Sequence, residues 1–225
     1  MQPYNIIHIL KAMNKNEKFI ITINRELGSG GRTIGEKLAA RLGVPFYDKA
    51  IIKGTVEKHH LTKDEVEKLK GRSHSWWAEL QRIASIGMGM GGYTYYYNVA
   101  EDAPDMLTTD DMFETEKEIL RGIAENESCV IAGRSGFYVL RDMPNRLSVL
   151  IQASMENRID RVMRKQGLSR EEAEKTIKRI DKMRENYVTK YCGVSRYDTR
   201  NYDLVINSDG KTEDEVADLI CAFIE

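Results

Sequence analysis

FIITINRELGSGGRTIGEKLAARL, residues 19–42, reads as three consecutive pieces whose junctions decide the rest of the fold. Ile20, Ile21 and Ile23 supply the β-branched apolar run of a buried strand, while Ile34, Leu38 and Leu42, four apart, supply one face of a helix. Between them lie Gly28, Ser29, Gly30, Gly31, Arg32 and Thr33. Glycine lets the backbone turn tightly and leaves its N–H groups uncovered, and the helix that follows adds the positive end of its dipole. Strand, turn and helix in that order make a seat for phosphate.

In outline this is a P-loop with two departures from G-x-x-x-x-G-K-[ST], because Glu26 stands at the first glycine and Arg32 at the lysine. Arginine keeps the charge and grips phosphate oxygens with two donors, although its planar head is bulkier than an ammonium. Thr33 retains the hydroxyl that the motif offers to magnesium. The competing reading of the pattern alone is a Gly-rich strand-to-helix turn of some other α/β protein.

A chain of 225 residues, 41% hydrophobic and 31% charged, is long enough for one α/β core with an excursion and too short for two large ones. Its net charge of -1 sets it against nucleic-acid polymers and membrane surfaces and leaves small anions as ligands. Cys129, Cys192 and Cys221 are odd in number and lack C-x-x-C spacing, so neither a disulfide framework nor a zinc site is expected and a reducing cytoplasm fits best. Residues 1–18 carry an apolar patch too short for a signal-peptide core or a spanning helix. They read as a peripheral arm: a helix packed on the body, a partner contact, or sequence ahead of the true start.

Beyond the first helix, Gly43 is a stop signal and residues 44–47 form a second strand with Asp48 at its end, the end that faces ligands in open α/β sheets. Asp48 is a candidate contact for a second substrate's sugar or base, or for water around magnesium; the alternative is a helix N-cap. His59 and His60 have no spaced metal partners and read as solvated. Thr62 and Glu65 have capping-box spacing. Trp76, Trp77 and the run GMGMGGYTYYYN at 87–98 suit either a substrate-covering flap or an aromatic contact, including one between two copies of the chain.

Helical periodicity returns over 105–128, with Thr109 as a candidate cap, and Cys129–Ala132 is a third strand. Arg134, in the turn just past that strand, is a candidate anion contact. Leu147–Ile151 is a fourth strand. Ser154 caps a helix whose Arg158, Arg161 and Lys165 form a basic stripe, and Ser169 with Glu172 opens another that turns Ala173, Ile177, Ile180 and Tyr187 inward. These two helices, hinged at Gln166–Gly167, make an arm over 154–200. Residues 201–207 are a fifth strand, and Thr212 caps a last helix whose Val216, Leu219, Ile220 and Phe223 are expected to cover the sheet. The expected architecture is α/β: a five-stranded parallel sheet with helices on both faces, one domain over 19–225 with insertions at 54–105 and 154–200.

Five stretches, RELGSGGRTIG (25–35), VPFYDKAII (44–52), VIAGRSG (130–136), RIDRVMRKQGLSREEAEKTIKRIDKMRENY (158–187) and NYDLVINS (201–208), together resemble the cytidylate kinase-like family of P-loop kinases. The resemblance implies a P-loop kinase fold with a helical lid over 154–200 and an acceptor-binding insertion at 54–105. It implies ATP as donor with Mg2+, and a small acceptor, first a pyrimidine nucleoside monophosphate such as CMP. Gly28, Ser29, Gly30, Gly31, Arg32 and Thr33 would hold the donor phosphates, Arg134 the acceptor, and Arg158, Arg161, Arg179 and Arg184 the transferring phosphoryl group, with Asp181 orienting Arg184. Ala132 departs from the acidic residue that cytidylate kinases proper carry there. The alternatives to an NMP kinase are a nucleotide sensor or docking module with lost catalysis, and a kinase for another small metabolite.

Overall fold

The computed structural model describes residues 13–48 and 110–224. The expectations for 54–105, including His59, His60, the Thr62–Glu65 cap, Trp76, Trp77 and the 87–98 run, and for Thr109, lie outside the described residues.

Five strands form: β1 (Ile20–Arg25), β2 (Phe46–Asp48), β3 (Cys129–Ala132), β4 (Arg146–Gln152) and β5 (Leu204–Asn207). They lie in the order β2-β3-β1-β4-β5, every pair parallel. Chain order reverses around β1, and the crevice at such a switch point is where open α/β sheets hold ligands. The register pairs Ile23 with Ala132, Arg25 with Ile151 and Asp48 with Ala132, so Arg25, Asp48 and the turn after β3 emerge along one edge.

The described helices are α1 (Gly31–Leu42), α2 (Asp110–Asn126), α3 (Gly136–Val139), α4 (Met155–Gln166), α5 (Arg170–Cys192) and α6 (Glu213–Phe223). Their ends obey local chemistry. Ser154, Ser169 and Thr212 side chains accept first-turn N–H groups, the last two in full capping boxes with Glu172 and Glu215. Gly43 ends α1 and Gly167 ends α4, both left-handed.

Alternation along the strands sorts two cores. Ile21, Ile23, Val130, Ala132, Val149 and Ile151 face the side covered by α1 and α6, whereas Ile20, Cys129 and Ile131 face Phe113, Ile119, Leu120 and Ile123 of α2 and Val188 of α5. A third, smaller cluster joins Leu27 to Ile159 and Val162 of α4 and Ala173, Ile177 and Ile180 of α5. The 154–200 arm therefore has its own apolar seam, and Leu27 fastens it to the residues between β1 and α1. Met13 is buried in the first core and the Asn145 amide donates to the Asn14 carbonyl at 2.8 Å, so the end of the expected N-terminal arm packs on the body.

Three details differ from the sequence expectation. Leu219 and Phe223 are exposed, and α6 buries Val216, Ala217 and Ile220 instead, because it packs against α1 and is held there by Lys37 and Arg41 on Asp214. β5 begins only at Leu204, since residues 199–201 wind into a 3-10 turn capped by Asp198. A short helix, α3, follows the β3 turn where no element was expected. None of the described helices is long and apolar enough to cross a membrane.

Candidate active site

The 26–30 turn is bent by Gly28 at φ 85° and Gly30 at φ 83°, the latter standing as the N-cap of α1. Gly28 has no room for a side chain, and Gly30 has room only if the Arg161 tip gives way. A Cβ at Gly28 would lie 2.7 Å from the Arg158 carbonyl, and one at Gly30 would lie 3.2 Å from the Arg161 guanidinium. Ser29 is fully buried, its hydroxyl donating to the Glu26 carbonyl at 2.9 Å and its own carbonyl accepting the Ser208 hydroxyl at 2.9 Å. The first-turn N–H groups of α1 have no acceptor within the helix, which leaves them as anion donors.

Glu26, a departure from the motif, has a use: its carboxylate accepts the Ala153 N–H at 3.1 Å and lies 3.6 Å from Arg158. The turn is pinned to β4 and α4 where a glycine would only bend. Asp181 of α5 accepts the Leu27 N–H at 3.0 Å and pairs with Arg158, whose Nε donates to the Leu27 carbonyl at 2.8 Å. Arg158 is buried, so it sits beneath the turn as part of its support.

The other cations divide by place. Arg161 Nη1 donates to the Gly28 carbonyl at 3.0 Å and its Nη2 lies 3.3 Å from Glu213, while Lys165 Nζ donates to the Thr33 hydroxyl at 3.1 Å. Arg184 reaches the Arg25 carbonyl at 3.4 Å and lies 3.8 Å from Asp181. Arg32 bonds Asp48 at 2.8 Å and Glu36 at 3.2 Å, with Asp48 buried. Burial raises the Glu36 carboxyl above its ordinary range, with Arg32 pulling the other way. Arg179 is exposed and touches Met183, so it does not join the group.

At the end of β3, Arg134 and Ser135 both adopt left-handed backbone, at φ 52° and 53°. Such strain costs on the order of 1–3 kcal/mol per residue and clusters where ligands bind. Arg134 forms a buried ion pair with Glu116 of α2 and lies 5.1 Å over the Tyr187 ring, and the Tyr187 hydroxyl donates to Glu116 at 3.1 Å.

Sequence reasoning missed Arg196. It is 1% exposed, donates from Nη2 to the Arg25 carbonyl, and lies 3.6 Å from Asp181. Its Nε and Nη1 have no hydrogen-bond partner, and burial holds its guanidinium below the usual arginine range. Tyr202, which donates to the Arg196 carbonyl at 2.7 Å, is pushed up to about 12 by burial. No periodicity marks the 193–198 segment, GVSRYD; the one signal was an arginine beside a tyrosine in a short non-helical stretch.

A cavity of about 890 Å3 opens beside the turn, lined by Asn157, Arg161, Arg164, Ser208, Lys211 and Thr212. Ser208 links its floor to Ser29. Among the described residues, no three His, Cys, Asp or Glu side chains gather as a metal site.

A parallel sheet of order 2-3-1-4-5, a glycine turn between its central strand and α1, and a helical hairpin fastened to that turn define a P-loop kinase. The chain belongs to the cytidylate kinase-like family, whose model matches residues 20–210. It is 24% identical over 215 residues to cytidylate kinase of Methanopyrus kandleri, covering 92% of this chain and 93% of that protein. A 107-residue part is 30% identical to uronate isomerase of Corynebacterium glutamicum, but this chain spans only 20% of that protein's length. Among solved structures, an uncharacterized protein from Eubacterium ventriosum superposes with a TM-score of 0.62 at 25% identity, over 92% of this chain and 98% of that one.

Proposed function

We propose that this chain transfers the terminal phosphoryl group of ATP to a small acceptor, a pyrimidine nucleoside monophosphate such as CMP being the first choice. The observation that carries the reading is the convergence of Arg161 and Lys165 on the glycine turn and first helical turn, at the Gly28 carbonyl and the Thr33 hydroxyl, with Gly28 and Gly30 giving α4 room to approach. The name of the family and the Methanopyrus relative support the acceptor class.

In this reading, amides of residues 28–33 seat the donor phosphates, and the cavity between α4 and the β5–α6 connection takes the nucleoside. Thr33 is the one side chain proposed for magnesium, and because its hydroxyl accepts from Lys165, that lysine has to swing toward the phosphates for the metal to enter. Magnesium would supply charge neutralisation between phosphate oxygens. Arg161, Lys165 and Arg184 do the same from the protein side, and closure of the α4–α5 hairpin keeps water away. Arg134, leaving Glu116, holds the acceptor's anion, with Asp48 near its sugar or base.

A second reading, a nucleotide sensor or docking module, is favoured by one observation: Arg32, at the motif's lysine position, is held by Asp48 and Glu36. ATP with magnesium and a panel of monophosphates and small hydroxyl acceptors separates the readings. Acceptor-dependent ADP formation supports the kinase, with the acceptor chosen by the panel. Tight nucleotide binding with no turnover selects the sensor.

A further inference from the structure

Arg25, the last residue of β1, received no role from its sequence pattern, and the proposed reaction gives its side chain none. Its side chain is placed by two glycines. A Cβ at Gly31 would lie 2.5 Å from Arg25 Cβ and 2.9 Å from its Cγ, and a Cβ at Gly133 would overlap Arg25 Nη1. Gly31 opens α1 on the donor turn; Gly133, at φ 82°, opens the strained turn that carries Arg134. One arginine side chain thus runs from the phosphate turn to the proposed acceptor turn, with its stem against the first and its guanidinium against the second.

The backbone beneath that side chain is unusually fixed. The Arg25 carbonyl accepts from Arg196 Nη2 and from Arg184 Nη1, and the Arg25 N–H donates to Asn24 Oδ1 at 3.0 Å. Arg25 also pairs with Ile151 in the register of the central strand. Two guanidiniums on one carbonyl do nothing for a side chain that is free to wander, and much for one whose direction matters.

We infer that Arg25 is itself a catalytic residue, its guanidinium touching the phosphoryl group as that group passes from the donor on the Gly28–Thr33 turn to the acceptor at Arg134. The inference rests on the phosphotransfer reading above. In the step, an acceptor oxygen forms a bond to the terminal phosphorus while the bond from phosphorus to the bridging oxygen breaks, and its electron pair stays on the nucleoside diphosphate. Arg25 gives up no proton. It offers two in-plane donors to equatorial oxygens whose charge is in motion, which an ammonium cannot match.

Affinity of the full chain for ADP with magnesium is measured with and without aluminium fluoride, a planar stand-in for the transferring group, in wild type, Arg25→Ala, Arg25→Gln and Arg25→Lys. Wild type is expected to gain at least about 100-fold with the fluoride, and Arg25→Ala to lose most of that gain while its affinity for ADP alone stays within about threefold. Arg25→Lys recovers part. Arg25→Gln keeps the stem over Gly31 and serves if the alanine variant melts at a lower temperature. Undiminished gain in Arg25→Gln and Arg25→Ala overturns the inference while leaving the kinase reading intact. Binding of ADP by wild type with no gain at all, with CMP and the other acceptors of the panel added as well as without them, defeats the kinase reading and this inference with it.

Discussion

Asp181 of α5 accepts the backbone N–H of Leu27 at 3.0 Å, across 154 positions of sequence. The same carboxylate pairs with Arg158 and lies 3.6 Å from Arg196 and 3.8 Å from Arg184. One buried acid therefore fixes the start of the phosphate turn and shares the charge of three arginines.

Removing it should be costly. Arg158 and Arg196 are both buried, and taking one partner from a buried ionic cluster typically costs about 3–5 kcal/mol. Asp181→Ala is expected to lose stability of that order in denaturant unfolding. Asp181→Asn, which still offers an oxygen to the Leu27 N–H, should lose less. A loss below about 1 kcal/mol in the alanine variant would contradict this role for the carboxylate.

The two left-handed glycines of the turn should respond differently. At Gly28 a methyl group meets the backbone of Arg158, which moves only if α4 moves, whereas at Gly30 it meets the tip of the Arg161 side chain. Both carry the strain of positive φ, about 1–2 kcal/mol. Unfolding of Gly28→Ala should show a clearly larger loss than Gly30→Ala. Equal losses would mean that the contact with α4 is looser than it stands.

Arg32 and Arg134 should separate in steady-state kinetics. Arg32→Ala is expected to weaken the donor and lower kcat on the order of 100-fold, and Arg134→Ala mainly to raise KM for the acceptor. Identical defects would contradict the assignment of the two turns to two substrates. A rise in turnover for Arg32→Lys would favour the sensor reading, in which the natural arginine marks lost chemistry.

Acid stability offers a test of the helix caps. The Glu172 carboxyl is held below its ordinary 4.5 by the Ser169 side chain and backbone, and Glu215 by the Thr212 backbone and side chain. A folded-state pKa below the unfolded one means stability that is present above 4.5 and is lost as pH falls through the lowered values. The double variant Glu172→Gln, Glu215→Gln should therefore lose less stability than wild type between about pH 5 and about pH 3. A parallel decline in the two proteins would contradict the shifts.

The strands were legible because four of them are short apolar runs carrying Val or Ile and the other is the aromatic pair Phe46–Tyr47, and the helix ends because Ser154, Ser169, Thr212, Gly43 and Gly167 act through their own immediate neighbours. The buried side of α6 was not, since 216–219–220–223 and 216–217–220–224 are both helical faces and only packing on α1 chooses between them. The site divides the same way. The glycine turn and the basic stripe of α4 stand in the sequence, but that Lys165 meets Thr33 depends on β4 lying beside β1, and that Arg32 turns to Asp48 depends on β3 standing between β1 and β2. Arg196 and Arg25 were invisible for a plainer reason: one comes from a non-periodic loop folded back onto Asn24, and the other is placed by glycines 102 positions apart in sequence, Gly31 and Gly133.

The central claim is that backbone amides of residues 28–33 seat a nucleotide's phosphates. Amide chemical shifts of isotope-labelled protein, followed as ATP is added with magnesium, test it most directly. The account predicts saturable changes that are largest at Gly28, Gly30, Gly31, Arg32 and Thr33, and that vanish when adenosine replaces ATP. Saturable binding that leaves those five amides unmoved would contradict it.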